Sequence, residues 1–170
     1  MVNDMFKKLF GKKEESPKTI SVVAPLSGTI KSLEEVPDPV FSQKMMGDGI
    51  AIVPDNGKVV SPVDGEIMQL FPTKHAVGIK AANGAELLIH IGLETVSMKG
   101  EGFEAHVSEG AKVKAGDPLI TFDVGLVEEK AKSTITPVIL TNGDDMGELV
   151  KKDGTKVEAG SGEILEISAK

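Results

Sequence analysis

The feature that most constrains the fold is an internal repeat, built from two pairs of short segments. The segment Ala24–Ile30 (APLSGTI) returns as Ser61–Ile67 (SPVDGEI), and Glu109–Gly116 (EGAKVKAG) returns as Asp153–Gly160 (DGTKVEAG). Each segment joins turn-forming residues to residues that favour extended backbone, which is typical of a turn that leads into a strand. Because both pairs recur in the same order, we predict a doubled β fold made of two related halves.

From Thr19 onward, short β-like runs alternate with Gly, Pro, Asp and Asn, which also predicts strands joined by turns. The predicted strands are Thr19–Ala24, Gly28–Leu33, Gly49–Val53, Lys58–Ser61, Gly65–Leu70, Ala76–Lys80, Glu86–Ile91, Leu119–Phe122, Val138–Thr141 and Glu163–Ile167. Helices are predicted for only two segments, Val124–Ser133 and Asp144–Val150, and both are short. The predicted fold class is therefore all-β: a duplicated hybrid motif, forming an antiparallel β-sandwich or barrel with one or two very short helices.

The core of this fold must consist mainly of aliphatic side chains. Hydrophobic residues make up 40% of the chain, but aromatic residues make up only 4%, and Trp and Tyr are absent. One core of this kind suits a single domain, which we assign to residues 19–170.

Residues 1–18 differ from the rest of the chain and predict a flexible, separate tail. Apolar residues between Met1 and Phe10 recur at helical spacing, and lysines are interleaved with them. Two interpretations stay open. Residues 1–13 form an amphipathic helix that makes weak contact with an anionic membrane, or the segment is too short to be a stable helix and frays.

Composition excludes several classes of function. The formal net charge of −7 argues against nucleic acid as a partner. The absence of cysteine excludes disulfides, thiolate metal sites and a cysteine nucleophile. The sequence shows neither a long apolar stretch nor a signal-peptide layout, so we expect a cytoplasmic protein.

Histidines are the main candidates for chemistry, because they titrate near neutral pH. The sequence has no Gly-x-Ser-x-Gly elbow and no phosphate-binding glycine loop. His90 lies in the apolar run Glu86–Gly92, in which alternation places Leu87, Ile89 and Ile91 on a core face and His90 on the other. A histidine among apolar neighbours is often only structural, but Gly92 leaves room for another group to approach.

The other histidines differ in their surroundings. His75 lies in a turn after a strand, and the hydroxyl of Thr73 two residues before it could orient an imidazole nitrogen or a phosphoryl oxygen. His106 has no such company, and we expect an ordinary strand histidine facing solvent. We predict no intrinsic metal site, because no His-x-His or His-Glu-x-x-His motif is present.

Several ordered motifs, including those that contain His75 and His90, carry a resemblance to a known family. They are Ala24–Gly28, Val36–Phe41, Gly47–Gly49, Thr73–Ala76, His90–Val96, Gly100–Phe103 and Glu128–Ser133. With these motifs the chain resembles, from about Ile20 to its C-terminus, the glucose-type IIA component of the bacterial phosphoenolpyruvate-dependent sugar phosphotransferase system. The resemblance implies the duplicated all-β fold that the repeats predict.

The resemblance also implies a function and a site. His90 would accept a phosphoryl group from phospho-HPr and pass it to a cysteine of the transporter's IIB domain, with His75 assisting and Thr73 tying His75 into the network. The partner-binding residues that it implies are Asp38, Val40, Phe41, Met45, Met46, Phe71, Leu88 and Glu94. The family often has Asp in place of Glu94 and an aromatic residue in place of Leu88 and of Gly78, so the partner fit could differ here.

Further expectations concern cofactors, partners and location. We expect no intrinsic cofactor, only covalent phosphate on His90, although a metal shared with a partner is compatible with the two histidines. Other transporters or metabolic enzymes are further candidate partners of a regulatory kind. The protein is expected to be cytoplasmic and transiently at the inner face of the membrane.

Three alternatives stay open on the sequence alone. The turn-and-strand repeats also resemble biotinyl or lipoyl carrier domains, for which the candidate lysine would be Lys44 beside Met45 and Met46. Zinc peptidases of the lysostaphin type share a duplicated fold, although the sequence lacks their His-x-His motif. The third alternative is a regulatory interaction protein that retains the site without using it.

Overall fold

The computed structural model describes residues 18–152 and 154–170, and in this part antiparallel strands dominate. The strands are β1 Thr19–Val23, β2 Gly28–Ser32, β3 Asp48–Pro54, β4 Lys58–Val60, β5 Gly65–Leu70, β6 Ala76–Ala81, β7 Glu86–His90, β8 Phe103–Ala105, β9 Lys112–Val113, β10 Pro118–Phe122, β11 Thr136–Leu140, β12 Met146–Lys151, β13 Lys156–Val157 and β14 Glu163–Ala169. The α-helices are α1 Pro39–Ser42 and α2 Val124–Lys130, and short 3-10 helices lie at Leu33–Glu35, Thr95–Met98 and Gly143–Asp145. The predicted all-β fold class is confirmed.

The sheets show that the fold is a duplication. The large sheet has the order β13-β2-β3-β11-β7-β6-β5-β9, and two small sheets have the orders β1-β14-β12 and β4-β10-β8. Exchanging β2 with β5, β3 with β6, β11 with β7 and β13 with β9 returns the large sheet to the same order. Exchanging β1 with β4, β14 with β10 and β12 with β8 likewise converts one small sheet into the other. The two halves predicted from the repeats are therefore related by a pseudo-twofold axis between β11 and β7.

The first repeated segments link the halves to each other by reciprocal backbone hydrogen bonds. Val23 N–H donates to the carbonyl of Pro62 at 2.9 Å, and Val60 N–H donates to the carbonyl of Pro25 at 2.9 Å. Pro25 and Pro62 occupy the same position of the repeat, as Val23 and Val60 do. Each half therefore supplies an acceptor for the other, which ties the halves into one body.

The second repeated segments pair with the first ones in the same way in both halves. Ala159 N–H donates to the Ser27 hydroxyl oxygen at 2.9 Å, and Ala115 N–H donates to the Asp64 carboxylate at 2.9 Å. Strand β13 pairs with β2, and β9 pairs with β5, in equivalent register. The turn residues of the repeat thus form the same hydrogen bonds and strand pairs in both halves.

The large sheet buries side chains on both faces of its central strands. Leu87, Ile89 and Ile91 belong to the main core, as their alternation predicts. On the opposite face, a second cluster around Ile139 is covered by the connection between β2 and β3. The members of this second cluster are Leu33, Val36, Phe41, Ala51, Leu93, Ile135 and Ile139.

Most predicted elements are present, with ends that differ by at most three residues, but one prediction is wrong. Asp144–Val150 is not a helix: it consists of a 3-10 turn and then β12, which pairs with β14. Its apolar residues Met146, Leu149 and Val150 have helical spacing because the strand carries an irregularity between Met146 and Leu149. Helix α1 and the short strands β8, β9 and β13 were not predicted.

The predicted membrane contact through residues 1–13 lies outside the described residues, and the boundary between a tail and the domain stays a prediction. In residues 18–152 and 154–170, none of the helices is both long enough and apolar enough to span a bilayer.

Candidate functional site

The fold brings His75 and His90 together where two neighbouring interior strands of the large sheet, β6 and β7, begin and end. His90 is the last residue of β7, and it lies opposite Ala76, the first residue of β6. His75 directly precedes β6, so the antiparallel pairing carries its ring to that of His90. The ring centroids are 5.0 Å apart, and the ring planes meet at 80°.

A tight turn between β5 and β6 holds His75 in this position. Lys74 N–H donates to the Phe71 carbonyl at 2.7 Å, and Lys74 adopts a left-handed conformation with φ of 62°. Ile91 N–H donates to the His75 carbonyl at 2.7 Å, which joins the turn to the end of β7. The backbone of His75 is therefore fixed from both sides.

Hydrogen bonds of the two Nδ1 atoms define which nitrogens are available. His90 Nδ1 lies 2.8 Å from the carbonyl oxygen of Gly92, so this nitrogen carries a proton and donates it. In the neutral imidazole, His90 Nε2 then keeps an unprotonated lone pair. His75 Nδ1 forms a hydrogen bond with the Thr73 hydroxyl, which places Thr73 in direct contact with the site.

Burial keeps both imidazoles neutral at neutral pH. His75 is only 5% exposed, and its burial together with the nearby His90 lowers its pKa to about 4. Burial also lowers the pKa of the half-buried His90, although the Gly92 carbonyl and the Asp38 carboxylate act in the opposite direction. Neutral His90 retains its nucleophilic lone pair.

Two phenylalanines pack against the histidine rings. The ring centroid of Phe41 lies 5.0 Å from that of His90, and the centroid of Phe71 lies 5.4 Å from that of His75. Phe41 is carried by α1 and is buried in the second core cluster, so it is a structural residue as well as a wall of the site. Phe71 is half-buried at the rim.

The two predicted acidic residues have different environments. Asp38 caps α1, because its carboxylate accepts a hydrogen bond from Val40 N–H at 3.0 Å, and it is close enough to His90 to affect the pKa of that ring. Glu94 is exposed and has a left-handed φ of 60°, directly before the 3-10 helix Thr95–Met98. Among the described residues, its side chain forms no hydrogen bond or ion pair with His75 or His90.

The predicted apolar partner-binding residues fall into two groups. Val40, Met45 and Met46 are exposed, with Met45 at 69%, and they follow Asp38 in and after α1. Leu88 is buried beneath the site, on the same face of β7 as His90. Val96 is also exposed, at 56%, and was not predicted from the sequence. The only sequence feature that could have indicated it is an apolar residue in a short polar turn.

Neither the third histidine nor a metal-ligand cluster adds to the site. His106 is exposed and directly follows β8, and its Nε2 lies 3.0 Å from the Thr121 hydroxyl. No group of three or more metal-ligating side chains occurs among the residues that the structure describes. His75 and His90 alone would be an incomplete ligand set for zinc.

The backbone around Gly92 was also not foreseen as part of the site. Gly92 is buried with φ of 72°, and a Cβ atom there would lie 2.7 Å from Thr95 Cγ2 and 2.8 Å from the Ser133 carbonyl oxygen. The sequence suggested that Gly92 leaves space for an approaching group. Instead, Thr95 and Ser133 occupy that space, and the Gly92 carbonyl accepts a hydrogen bond from His90 Nδ1–H.

Comparisons with known proteins agree on one family. The family described as "phosphoenolpyruvate-dependent sugar phosphotransferase system, EIIA 1" matches residues 20–146. A Bacillus cereus protein named "PTS system glucose-specific EIIA component" is 60% identical over 166 residues, which cover 98% of this chain and 100% of the relative. A relative of the same name from Oceanobacillus iheyensis is 56% identical over 163 residues, which cover 96% of this chain and 99% of that protein.

A solved structure agrees with these sequence matches. The glucose permease IIA from Mycoplasma capricolum superposes with a TM-score of 0.81 at 40% sequence identity. The match covers 91% of this chain and 99% of that protein.

Proposed function

Since the chain belongs to the EIIA 1 family of the phosphoenolpyruvate-dependent sugar phosphotransferase system, we propose that it carries its phosphoryl group on Nε2 of His90. It is a phosphotransferase component that serves as a phosphocarrier in sugar uptake, working with HPr and the IIB and IIC parts of a transporter. The observation that carries the proposal is the Nδ1–H···O=C hydrogen bond from His90 to Gly92. That bond leaves the lone pair of Nε2 on a half-buried ring available to a donor.

The loading step needs no proton transfer at His90. The lone pair of Nε2 attacks the phosphorus of the phosphohistidine of HPr, a new N–P bond forms, and the donor N–P bond breaks with its electron pair returning to the donor imidazole. Nδ1 keeps its proton throughout, because Gly92 accepts it. In such transfers the protein contributes mainly positioning and electrostatics.

The unloading step follows the same pattern toward the transporter. A cysteine thiolate of the IIB domain attacks the phosphorus, and the N–P bond to His90 breaks. His75 assists this step: with the Thr73 hydroxyl donating to Nδ1, the proton of His75 resides on Nε2 and can stabilise a phosphoryl oxygen. Its low pKa supports this role, because a neutral imidazole with one fixed proton is an oriented donor.

The apolar residues around His90 serve docking and exclude water. Phe41 and Phe71 flank the two rings, and Val40, Met45 and Met46 provide exposed apolar contact area beside them. Water excluded on docking cannot hydrolyse the phosphohistidine. Asp38 and Glu94 would repel phosphate, so we assign them to pairing with basic residues of the partners, in keeping with the net charge of −7.

The proposal extends to the location of the protein, the transported sugar and the covalent group. The protein acts in the cytoplasm and reaches the inner face of the membrane when it meets the transporter, and residues 1–13 add weak contact with anionic lipid. Glucose or a related sugar is the transported substrate, as the names of the relatives say of those proteins. Phosphate on His90 is the covalent group that it carries, and a metal would require a further ligand from a partner.

Reconstitution tests the proposal. The protein is incubated with phosphoenolpyruvate, enzyme I and HPr, and acid-labile label is then chased to a purified IIB domain. Loading that depends on HPr, followed by transfer to IIB, is the expected result. Absence of label with an active HPr, or label that IIB cannot remove, would contradict it.

A further inference from the structure

The turn that follows β7 is held by two buried threonines outside the histidine pair. The turn comprises Ile91, Gly92 and Leu93, and Thr95 and Thr136 both have 0% exposure beside it. A buried hydroxyl is costly unless it forms hydrogen bonds, so the partners of these two groups show what they do.

Thr95 fixes the peptide group before Gly92. Its hydroxyl donates to the Ile91 carbonyl at 2.6 Å, and its methyl group occupies the space where a side chain at position 92 would begin. The same side of Gly92 also faces the Ser133 carbonyl, which accepts a hydrogen bond from Leu93 N–H at 2.9 Å.

Thr136 holds the amide of Gly92 from β11. Gly92 N–H donates to the Thr136 hydroxyl oxygen at 3.4 Å, and that hydroxyl donates to the Thr134 carbonyl at 3.0 Å. Gly92 is therefore restrained at its N–H and at the preceding carbonyl. Its own carbonyl is left to accept Nδ1–H of His90 at 2.8 Å.

The same turn also reaches the second histidine. Ile91 N–H donates to the His75 carbonyl at 2.7 Å, so a shift of the Ile91–Gly92 backbone would move both imidazoles relative to each other. One short segment thus sets the tautomer of His90 and the spacing of the two rings.

We propose that Thr95 and Thr136 are positioning residues whose hydroxyls hold the Gly92 carbonyl toward His90 Nδ1 and so keep Nε2 as the nucleophilic nitrogen. The proposal rests on His90 being the phosphoryl acceptor. The threonines hold the Ile91–Gly92 peptide, and the next peptide, which carries the Gly92 carbonyl, is held by the hydrogen bond from Leu93 N–H to the Ser133 carbonyl at 2.9 Å. Without the two hydroxyls only that backbone bond restrains the turn, so the Gly92 carbonyl can shift from Nδ1 and the imidazole can exchange its proton to Nε2, where it blocks attack.

Paired substitutions separate the hydroxyl from the shape of the side chain. Thr95→Val and Thr136→Val keep the volume and remove the hydroxyl, whereas Thr95→Ser and Thr136→Ser keep the hydroxyl. The matched control is Ser61→Ala, which removes a hydroxyl that is equally buried and donates to the Val63 carbonyl at 2.7 Å, within the repeated turn.

The readouts are the ¹⁵N chemical shifts of the His90 ring, which report the tautomer, and the rate of loading by phospho-HPr. The Val variants should show a growing share of the Nε2–H tautomer and load about tenfold more slowly, the factor that one buried hydrogen bond represents. The Ser variants should retain the wild-type tautomer and load within about twofold of the wild-type rate. Ser61→Ala should lose stability without changing the tautomer.

Wild-type tautomer and loading rate in both Val variants would overturn the proposal, as would equal effects in the Val and Ser variants. If a Val variant does not fold, the unmodified protein still provides a test, because hydrogen-bonded buried hydroxyl protons of Thr95 and Thr136 should exchange slowly in NMR spectra. Fast exchange would overturn the proposal. A wild-type protein that loads elsewhere than on His90 would instead contradict the proposed function.

Discussion

The two halves of the molecule share the same arrangement of strands, but matching positions near the strand ends carry different residues. Strand pairing places His90 opposite Ala76 in one half and Ile139 opposite Gly49 in the other. We call the region of His75, Ala76 and His90 the site end, and the region of Asp48, Gly49 and Ile139 the covered end. By the register of the repeat, Asp48 is the counterpart of His75.

Besides these residues, the connections between the strands differ. At the site end, β5 and β6 are joined by the short turn Phe71–His75, and His90 remains half-exposed. At the covered end, Leu33–Gly47 joins β2 and β3 and buries Ile139 completely. The duplicated sheet thus has one accessible end and one covered end, because the connections differ in length and the matched positions carry different residues, His90 and Ile139.

The long connection also contributes to the opposite end. Its helix α1 places Phe41 in the core cluster that covers Ile139 and, at the same time, 5.0 Å from the ring of His90. The covered end therefore supplies one wall of the site end. Substitutions at matched positions can show how far the two ends are functionally separate.

The largest effects are expected at the matched pair His90 and Ile139. His90→Ala should abolish loading by phospho-HPr with little change in stability, because it removes the proposed phosphoryl acceptor. Ile139→Ala should lower the free energy of unfolding by about 2–5 kcal/mol, because it leaves a cavity in a fully buried cluster, while the folded fraction still loads. Phosphorylation assays and urea denaturation measure the two effects. Residual loading of His90→Ala would contradict the assignment of the phosphoryl group to the site end.

Phe41→Ala tests the residue that belongs to both ends. We expect the free energy of unfolding to fall by about 3–5 kcal/mol, because a buried aromatic ring is removed. The pKa of His90 should rise toward its ordinary value, since burial is the main cause that lowers it. Denaturation and NMR titration of the ring measure these changes. Phe71→Ala, at the rim, is the control, and equal stability loss in both variants would contradict the dual role of Phe41.

His75→Gln should separate loading from unloading. The nucleophile remains, so loading by phospho-HPr should persist, but the amide replaces an oriented imidazole donor and transfer to IIB should slow about a hundredfold. Chase experiments with IIB measure the second step. A variant that cannot be loaded, although His90→Ala can, would reverse the assigned roles.

The buried His75 should make stability depend on pH. Its pKa of about 4 in the folded protein lies below the unfolded value of 6.5, so the unfolded state binds more protons between these values. The stabilisation is complete above about pH 6.5 and is lost as the pH falls toward 4. Between pH 7 and pH 4.5 the loss should be about 2 kcal/mol.

His75→Gln is also the control for this pH dependence, because other groups titrate in the same range. Urea denaturation of both proteins at pH 7 and pH 4.5 gives the difference. Equal losses of unfolding free energy in the wild type and the variant would show that the pKa of His75 is not lowered and that the folded protein is protonated there at pH 4.5.

The smallest effect is expected for Asp48→Asn, the substitution at the counterpart of His75. Asp48 is paired with Lys151 at 2.8 Å and with Lys44 at 3.6 Å in a partly exposed setting. Such pairs contribute at most about 1 kcal/mol. Loading should not change, and a large loss of loading in the transfer assay would show that the two ends are coupled.

Much of this architecture could be predicted because turns have strong sequence signals. The repeated Pro, Gly and Ala-Gly positions form the same hydrogen bonds twice, so the duplication was visible in the sequence. The wrong helix at Asp144–Val150 shows the limit. An irregular edge strand shifts its apolar residues to helical spacing, and a local pattern cannot reveal the partner strand.

The candidate site was predictable in part. The resemblance named the histidines and the residues around them, and alternation placed His90 on the face of β7 opposite Leu87 and Ile89, although the predicted strand ended one residue later, at Ile91. The tautomer of His90 depends on the Gly92 carbonyl and on Thr95 and Thr136, of which Thr136 comes from a different strand. Contacts between distant segments of this kind have no local sequence signal.

The most direct test of the central claim, that the site end alone carries the phosphoryl group, is NMR of the loaded protein with ¹⁵N-labelled histidine. Loading by phosphoenolpyruvate, enzyme I and HPr should give one N–P coupling, at Nε2 of His90, with Nδ1 still protonated. A coupling at Nδ1 of His90, or at His75 or His106, would contradict the account.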